Sequence, residues 1–329
     1  MGKEAGVDGI FKGRGYGSVA SRLLANDMNA SALRTNDTLR YDEWKQLDEA
    51  VMQISRQRMV GAGDLISAGL SFNLGDGLGT TVLQTENVGD MEAAQMDMAA
   101  DTEGKYDRVE FAIGYLPLPI IHKEYTLNLR VLRASRKMGE SLDTTMASVA
   151  ARKISEKVET ILFCGASSYA FGGGTLYGYT DFPQRNTISL GTHWNDSPST
   201  GSTIISKVLE MKQSSIDARH FGPWMLYVPT AYDTALDDDF KAESDKTTRQ
   251  RIRDIEGIKD VKVADFLTAN NVVLVEMAPE TIRLIIGLQP TNVEWETKGG
   301  MISHFKVMTI MVPQIRADQD GNCGIVHAS

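Results

Sequence analysis

The chain is short of cysteine, aromatic residues, long apolar runs and positive charge, and each shortage removes a class of protein. Its 329 residues hold two cysteines, Cys164 and Cys323. They lie too far apart for a CxxC metal or redox motif, nothing in the sequence pairs them, and reduced thiols in a cytoplasm are expected. No stretch approaches the roughly 18 apolar residues that span a bilayer. No apolar run follows the first charges either, so neither embedding in a membrane nor export by a signal peptide is expected. The formal net charge is −9, which excludes a surface that wraps nucleic acid throughout, because phosphates are neutralised by clustered Lys and Arg. Any nucleic-acid contact must be local. With 42% hydrophobic and 23% charged residues, the chain is neither wholly disordered nor collagen-like, and its length allows one large domain or two modest ones.

Catalytic signatures are also missing. His122, His193, His220, His304 and His327 have no i, i+4 pairing and no Cys or carboxylate at metal-ligand spacing, so no metal site is expected. Gly-x-Ser-x-Gly, the nucleophile elbow of hydrolases, does not occur. Asp237-Asp238-Asp239 could attract a cation, but consecutive carboxylates on a helix end point in different directions, and a solvated face is the simpler reading. The glycines at 75, 77 and 79 resemble a phosphate cradle, yet the segment after them reads as a strand, where a phosphate loop needs a helix. Gly172-Gly173-Gly174 reads as a flexible linker. No catalytic residue, cofactor or metal is expected, and the chain is read as a non-enzyme.

What is present is a sequence of contrasting segments. Residues 1–40 are rich in Gly, Ser, Asn and Ala, with six Lys or Arg against four Asp or Glu. They read as an extended arm, which costs conformational entropy unless a partner surface holds it. From Asp42, the residues Trp44, Leu47, Val51, Ile54 and Met59 recur at helical spacing. Asp143 or Thr144 then opens a strong helix to Phe163: Met146, Val149, Ala150, Ile154, Val158, Ile161 and Leu162 form one stripe, and Gly165 stops it. Residues 165–201 read as a connection between two lobes. A second helix covers Thr203–Arg219, a strand Trp224–Val228, and a short helix follows Pro229 with Tyr232 and Leu236 inward. Beyond a polar run come strands at Val261–Val263, Val272–Val275, Ile282–Ile286, Val293–Thr297 and His304–Val312. Short turns such as Gly299-Gly300 join them, so the class is α+β with mostly antiparallel pairing.

Charge is distributed unevenly. Residues 78–110 carry Glu86, Asp90, Glu92, Asp97, Asp101, Glu103, Asp107 and Glu110 against Lys105 and Arg108, eight minus two or net −6, with Met91, Met96 and Met98 between them. β-rich flanks make this a long hairpin arm, because a compact domain seldom keeps so long a loop without a use. Directly after it, residues 116–140 hold Lys123, Arg130, Arg133, Arg136 and Lys137 against Glu124 and Glu140, five minus two or net +3. The expected subunit interface therefore sets the acidic arm (Glu86, Asp90, Met91, Glu92, Met96, Asp97, Met98, Asp101, Glu103) on a neighbour's basic strip (Lys123, Arg130, Arg133, Arg136, Lys137).

The order of flexible arm, short helix, acidic hairpin, long helix and α+β lobe resembles the major capsid proteins of tailed phages, with the Hong Kong 97 phage fold shared by encapsulin nanocompartments. Three segments add to it. Gly222 to Tyr232 resembles an encapsulin-type segment in which Gly-Pro precedes a strand and a helix bearing Tyr. Ala151 to Gly165 resembles the end of a spine helix, and Leu284-Ile285-Ile286-Gly287 a strand that ends in Gly before the last strands. The resemblance spans roughly residues 40–315 and implies an N-terminal arm at 1–40 and an extended loop at 70–115. It implies a peripheral domain from 41–69 and 116–185 with strands from 298–329, and an axial domain at 186–297.

Functionally it implies self-assembly as pentamers and hexamers into an icosahedral shell around phage double-stranded DNA, bound non-specifically on the inner face. The particle would be a virion capsid assembled in the host bacterial cytoplasm, without membrane. No long coiled-coil segment precedes the arm, so the resemblance implies no fused scaffolding domain and a separate scaffold or none; separate scaffolding, portal and cement proteins are the candidate partners. Lys105 is the sole lysine of the extended loop and no motif commits an Asn or Glu to it, so association is expected to be noncovalent. An encapsulin-like compartment around cargo enzymes is the alternative, and a soluble hydrolase the remote one.

Overall fold

The computed structural model describes residues 46, 49–51, 59–88, 111–130, 144–196, 199–241, 246–318 and 321–329. The expected arm at 1–40 lies outside them, as does most of the helix expected from Asp42, of which Gln46 and Glu49–Val51 are helical.

In chain order the elements are α1 (Gly61–Ser67), β1 (Ser71–Asn73), β2 (Val82–Val88), β3 (Phe111–Pro117), β4 (Ile121–Asn128), α2 (Thr145–Cys164), β5 (Ala166–Phe171), β6 (Gly174–Leu176), β7 (Asn186–Ile188), α3 (Gly201–Asp217), β8 (Trp224–Val228), a 3-10 turn (Thr230–Tyr232), α4 (Asp233–Asp237), α5 (Thr248–Arg253), β9 (Ile258–Val263), β10 (Val272–Glu276), β11 (Ile282–Thr297), β12 (Ile302–Ile315) and β13 (Ile325–Ala328). They form a four-stranded sheet, β1-β11-β12-β4, a five-stranded sheet, β7-β13-β10-β8-β9, and two hairpins, β2-β3 and β5-β6.

Each long helix has a local cause. In α2 the stripe Ala147, Ala150, Ala151, Ile154, Val158, Ile161 and Leu162 is buried, and the three alanines let the helix lie close on β4 and β12. Gly165 ends it with φ 71, its N–H bonded to the Ile161 carbonyl, a backbone conformation that costs other residues about 1 kcal/mol or more. α3 starts at Thr200, whose Oγ1 accepts from Thr203 N–H while Thr203 Oγ1 accepts from Thr200 N–H, a reciprocal cap for two otherwise unpaired donors.

β8 and β10 are buried along their whole length, as central strands covered on both faces must be. Met225, Tyr227, Val273 and Val275 face a core shared with α1 and α2. Trp224, Leu226, Val228, Val272 and Leu274 face a second core under α3. At about 1.5–3 kcal/mol for each fully buried large aliphatic side chain, these two faces are the main attractive term in this half of the molecule.

Several details differ from the sequence reading or add to it. Residues 165–201 are not a plain connection: they contain β5, β6 and β7, with Gly172 and Gly173 at positive φ in the hairpin turn. The glycines are there for geometry, since a Cβ on Gly174 would lie 2.1 Å from the Tyr115 carbonyl oxygen. The glycines at 75–79 form a turn whose Asp76 carboxylate accepts from Gly79 N–H, and a Cβ on Gly77 would lie 2.2 Å from the Gly287 carbonyl oxygen, so the motif serves a backbone crossing. Residues 121–128, read only for charge, form edge strand β4 beside β12. The two strands expected at 282–286 and 293–297 are one strand, β11, with register shifts between Ile286 and Thr291. β11 and β12, which meet at the turn after Thr297, lie in one sheet, and the last strand, β13, joins the five-stranded sheet.

Candidate assembly surface

The β2–β3 hairpin is laid on the body by alternation. Gly114 and Leu116 turn inward, Leu116 into a small core with Leu118, Leu176, Ile285, Ile310 and Val312. Ile113 and Tyr115 turn outward and are about half exposed. Apolar side chains exposed together on a two-stranded ribbon make this face the candidate assembly surface. Phe171 of the β5–β6 hairpin and Phe72 of β1 are exposed to a similar degree.

Of the acidic residues expected at the interface, Glu86 lies in β2, opposite Ile113. Asp90, Met91, Glu92, Met96, Asp97, Met98, Asp101 and Glu103 fall outside the described residues, as do Arg133, Arg136 and Lys137. Lys123 and Arg130 are both exposed, at opposite ends of β4. A strand rise of about 3.3 Å per residue puts them about 20 Å apart. Neighbouring Glu124 is occupied by Lys306 of β12 at 2.7 Å, and that contact holds its carboxyl below the usual range.

A buried polar joint ties the hairpin-bearing half to the five-stranded sheet, and no spacing in the sequence announces it. Glu159 of α2 is buried and accepts from the first amides of α1, Gly61 N at 3.1 Å and Ala62 N at 2.9 Å. Gly61 permits this, since its Cβ would sit 2.8 Å from Leu162. Burial, with a smaller push from Asp64, raises the Glu159 carboxyl to about 7 against the two amides. Asp64 of α1 accepts from Tyr227 Oη of β8 at 3.0 Å and pairs with Lys262 of β9. Tyr179 stacks on Tyr227, its hydroxyl buried and, among the described residues, without a partner.

Another buried carboxylate, Glu276 at the end of β10, collects Thr281 Oγ1 at 2.7 Å, Gly222 N at 2.9 Å and the His220 ring. The Glu276 hydrogen bond raises the His220 pKa. Burial opposes ionisation of Glu276, but His220, Thr281 and Gly222 together hold it below the usual range. His327 is the opposite case: Arg185 Nε donates to its Nδ1 at 3.2 Å and Asn271 Oδ1 faces its Nε2 at 2.7 Å. The ring is thereby kept neutral, and burial, then Arg185, push its pKa down to about 4. Among the described residues no group of three His, Cys, Asp or Glu could hold a metal ion, and no helix is long and apolar enough to cross a membrane.

This architecture is shared with shell proteins. A virus-like particle chain from Pyrococcus furiosus superposes with a TM-score of 0.64 at 14% identity, over 87% of this chain and 99% of that one. The capsid of Myoviridae phage XM1 superposes at 0.63 with 9% identity, over 82% and 91%. In sequence, the type 1 encapsulin shell protein EncA of Myxococcus xanthus (strain DK1622) is 29% identical over 187 residues, 56% of this chain. The match spans 59% of that relative's length. The chain has the Hong Kong 97-type fold of phage capsid and encapsulin shell proteins. Residues 29–328 match a family of unknown function, DUF6260, and the chain belongs to that family.

Proposed function

We propose that this chain is the major capsid subunit of a tailed phage, assembling as pentamers and hexamers into an icosahedral shell that encloses double-stranded DNA. The observation that carries the reading is the β2–β3 hairpin, which holds apolar Ile113 and Tyr115 outward and leads into the most acidic segment of the chain. Such a ribbon is marginal alone and gains stability against another copy. Repetition around a closed shell then multiplies contacts that are individually weak.

On this reading the acidic segment lies over a neighbour's basic strip, with Lys123 and Arg130 among its members and the methionines filling apolar gaps. Exposed ion pairs are worth about 0–1 kcal/mol each, so apolar burial supplies much of the hold. The peripheral and axial domains, the separate scaffold, portal and cement partners, non-specific contact with DNA and assembly in the bacterial cytoplasm belong to the same proposal. The chain acts as a structural subunit and not as an enzyme.

The 29% identity to an encapsulin shell protein favours a second reading, a compartment that encloses cargo enzymes. Size-exclusion chromatography and electron microscopy test both. A megadalton peak is expected, and a monomer or dimer at every concentration overturns the shell. Large particles with nuclease-protected DNA support the capsid, whereas small empty or protein-filled shells support the compartment.

A further inference from the structure

Beneath the hairpin runs a trough about 370 Å³ in volume. Phe72, Leu83 and Ile285 supply its apolar lining, and Arg283 and Arg316 its charge. The two arginines are brought together by register: Arg283 on β11 is paired with Gln314 on β12, and Arg316 follows two residues later. Their guanidinium groups find little to bind. Arg283 Nε donates to the Pro279 carbonyl at 3.1 Å, and Arg316 Nη2 reaches Gln314 Oε1 at 3.4 Å. Among the described residues, Arg316 Nε is buried without a hydrogen-bond partner. Among the described residues neither guanidinium pairs with a carboxylate. Burial, and then the like charge of Arg283, push Arg316 below the usual guanidinium range. Two facing cations with an unsatisfied, buried donor are costly unless an anion completes them.

We propose that Arg283 and Arg316 form a carboxylate-receiving trough that anchors the acidic segment 86–110 of a second copy. The inference rests on the shell reading and deepens it by adding a second, more enclosed anchor to the basic strip. Charge selects the occupant. Residues 86–110 carry eight acids against two bases, net −6, with Met91, Met96 and Met98 among them, which matches two cations beside an apolar lining. Planar guanidinium groups bind carboxylates through two parallel hydrogen bonds, and partial burial strengthens such pairs. Geometry points to another copy. β2 runs from Leu83 at the trough outward to Val88, paired with Phe111 of β3, so the acidic chain leaves from the far end of its own hairpin. The outer edge of β2 pairs with no other described strand, which leaves backbone donors and acceptors along the trough for an extended segment.

Two measurements on the full chain test this. Arg283→Glu with Arg316→Glu is expected to abolish the megadalton particle at concentrations tenfold above those at which the unaltered chain assembles. The subunit keeps its circular dichroism and thermal midpoint, and Arg283→Lys with Arg316→Lys keeps part of the assembly. Independently, p-benzoylphenylalanine in place of Gln84, which also lines the trough, is introduced into a mixture of isotope-labelled and unlabelled chains. Irradiation of the particles should link this position to peptides from residues 86–110 of the other isotope. Particles that form equally well after charge reversal overturn the proposal. So do cross-links confined to one copy, to residues 1–45 or to nucleic acid. If the unaltered chain forms no particle, the shell reading itself fails, and this inference with it.

Discussion

Glu159 is a carboxylate held in the core by two amides and, among the described residues, no cation. Its pKa, raised from 4.5 to about 7, makes the ionised form unfavourable in the folded state. Its contribution to stability is therefore fully present below about pH 4.5 and is lost as pH rises through 7, with an amplitude of about 3 kcal/mol from the linkage between shift and free energy. Urea denaturation of Glu159→Gln across pH 4.5–7.5 should lack this decline, and a parallel slope in both proteins would remove Glu159 as its source. His220 acts in the same direction over a higher window. Paired with Glu276, its raised pKa gives stability that is complete below 6.5 and disappears as pH rises through the folded value. His220→Gln should abolish that second decline, read as the urea midpoint between pH 6.5 and 9. Gly77 tests packing instead of charge. Alanine there would place Cβ 2.2 Å from the Gly287 carbonyl oxygen, so Gly77→Ala should cost about 1–3 kcal/mol of stability, with the midpoint of thermal unfolding as the check.

Among the elements, α1 has seven residues and three attachments: Glu159 at its first amides, Tyr227 and Lys262 on Asp64, and Leu65 in the core shared by α2 and the five-stranded sheet. Beside the direct packing of Phe163 on Tyr227, it supplies the polar part of the joint between the spine helix and the second sheet. The hairpin, by contrast, can be shortened without touching its packed base, because Glu86 and Ile113 stand opposite one another in its ladder while Leu83 and Leu116 hold it to the body. Replacing residues 87–112 with Asn-Gly, a dipeptide suited to a two-residue hairpin turn, should therefore leave a folded subunit. Its thermal midpoint is expected within a few degrees of the full chain, while light scattering shows no megadalton particle. Persistence of particles in that variant would count against the hairpin as the assembling element.

For the whole molecule, net charge and its distribution matter more than any one pair. A chain at −9 repels its copies unless opposite patches are brought into register, and the acidic segment and the arginine trough supply such a contrast. Assembly mediated by partly exposed charge should weaken with ionic strength: a shell formed at about 0.1 M salt is expected to release subunits toward 1 M, where the screening length falls from about 10 to 3 Å. Sedimentation velocity across that range is the measurement. A particle that tightens with salt would point to apolar burial as the dominant contact.

The long periodic segments were legible in the sequence because their cause is local. The stripe of α2 and the all-apolar β8 lie within a residue or two of their expected bounds, since a 3.6-residue period and a short β-rich run between turn residues each specify one backbone conformation. Acidic and basic segments could be read in the same way, as could the shell-protein fold from the order of elements. Pairings between distant residues could not. Strands β5, β6 and β13 are short and gain their hydrogen bonds from partners that the fold brings alongside. Glycines at 77 and 174 serve contacts with residues far along the chain, so local sequence gives Gly77 no role and reads Gly174 as part of a linker. The Glu159 joint joins positions about a hundred residues apart. The arginine trough exists through the β11–β12 register, which sets Arg283 beside Gln314. The sequence by itself determined the long helices α2 and α3, the central strands and the charge of each segment, all consequences of neighbours in the chain, whereas the short helices α1 and α5 were not legible in it. Tertiary structure alone decided which buried carboxylates lack a cation and which cations lack a carboxylate, because desolvation and pairing depend on groups that only folding brings together.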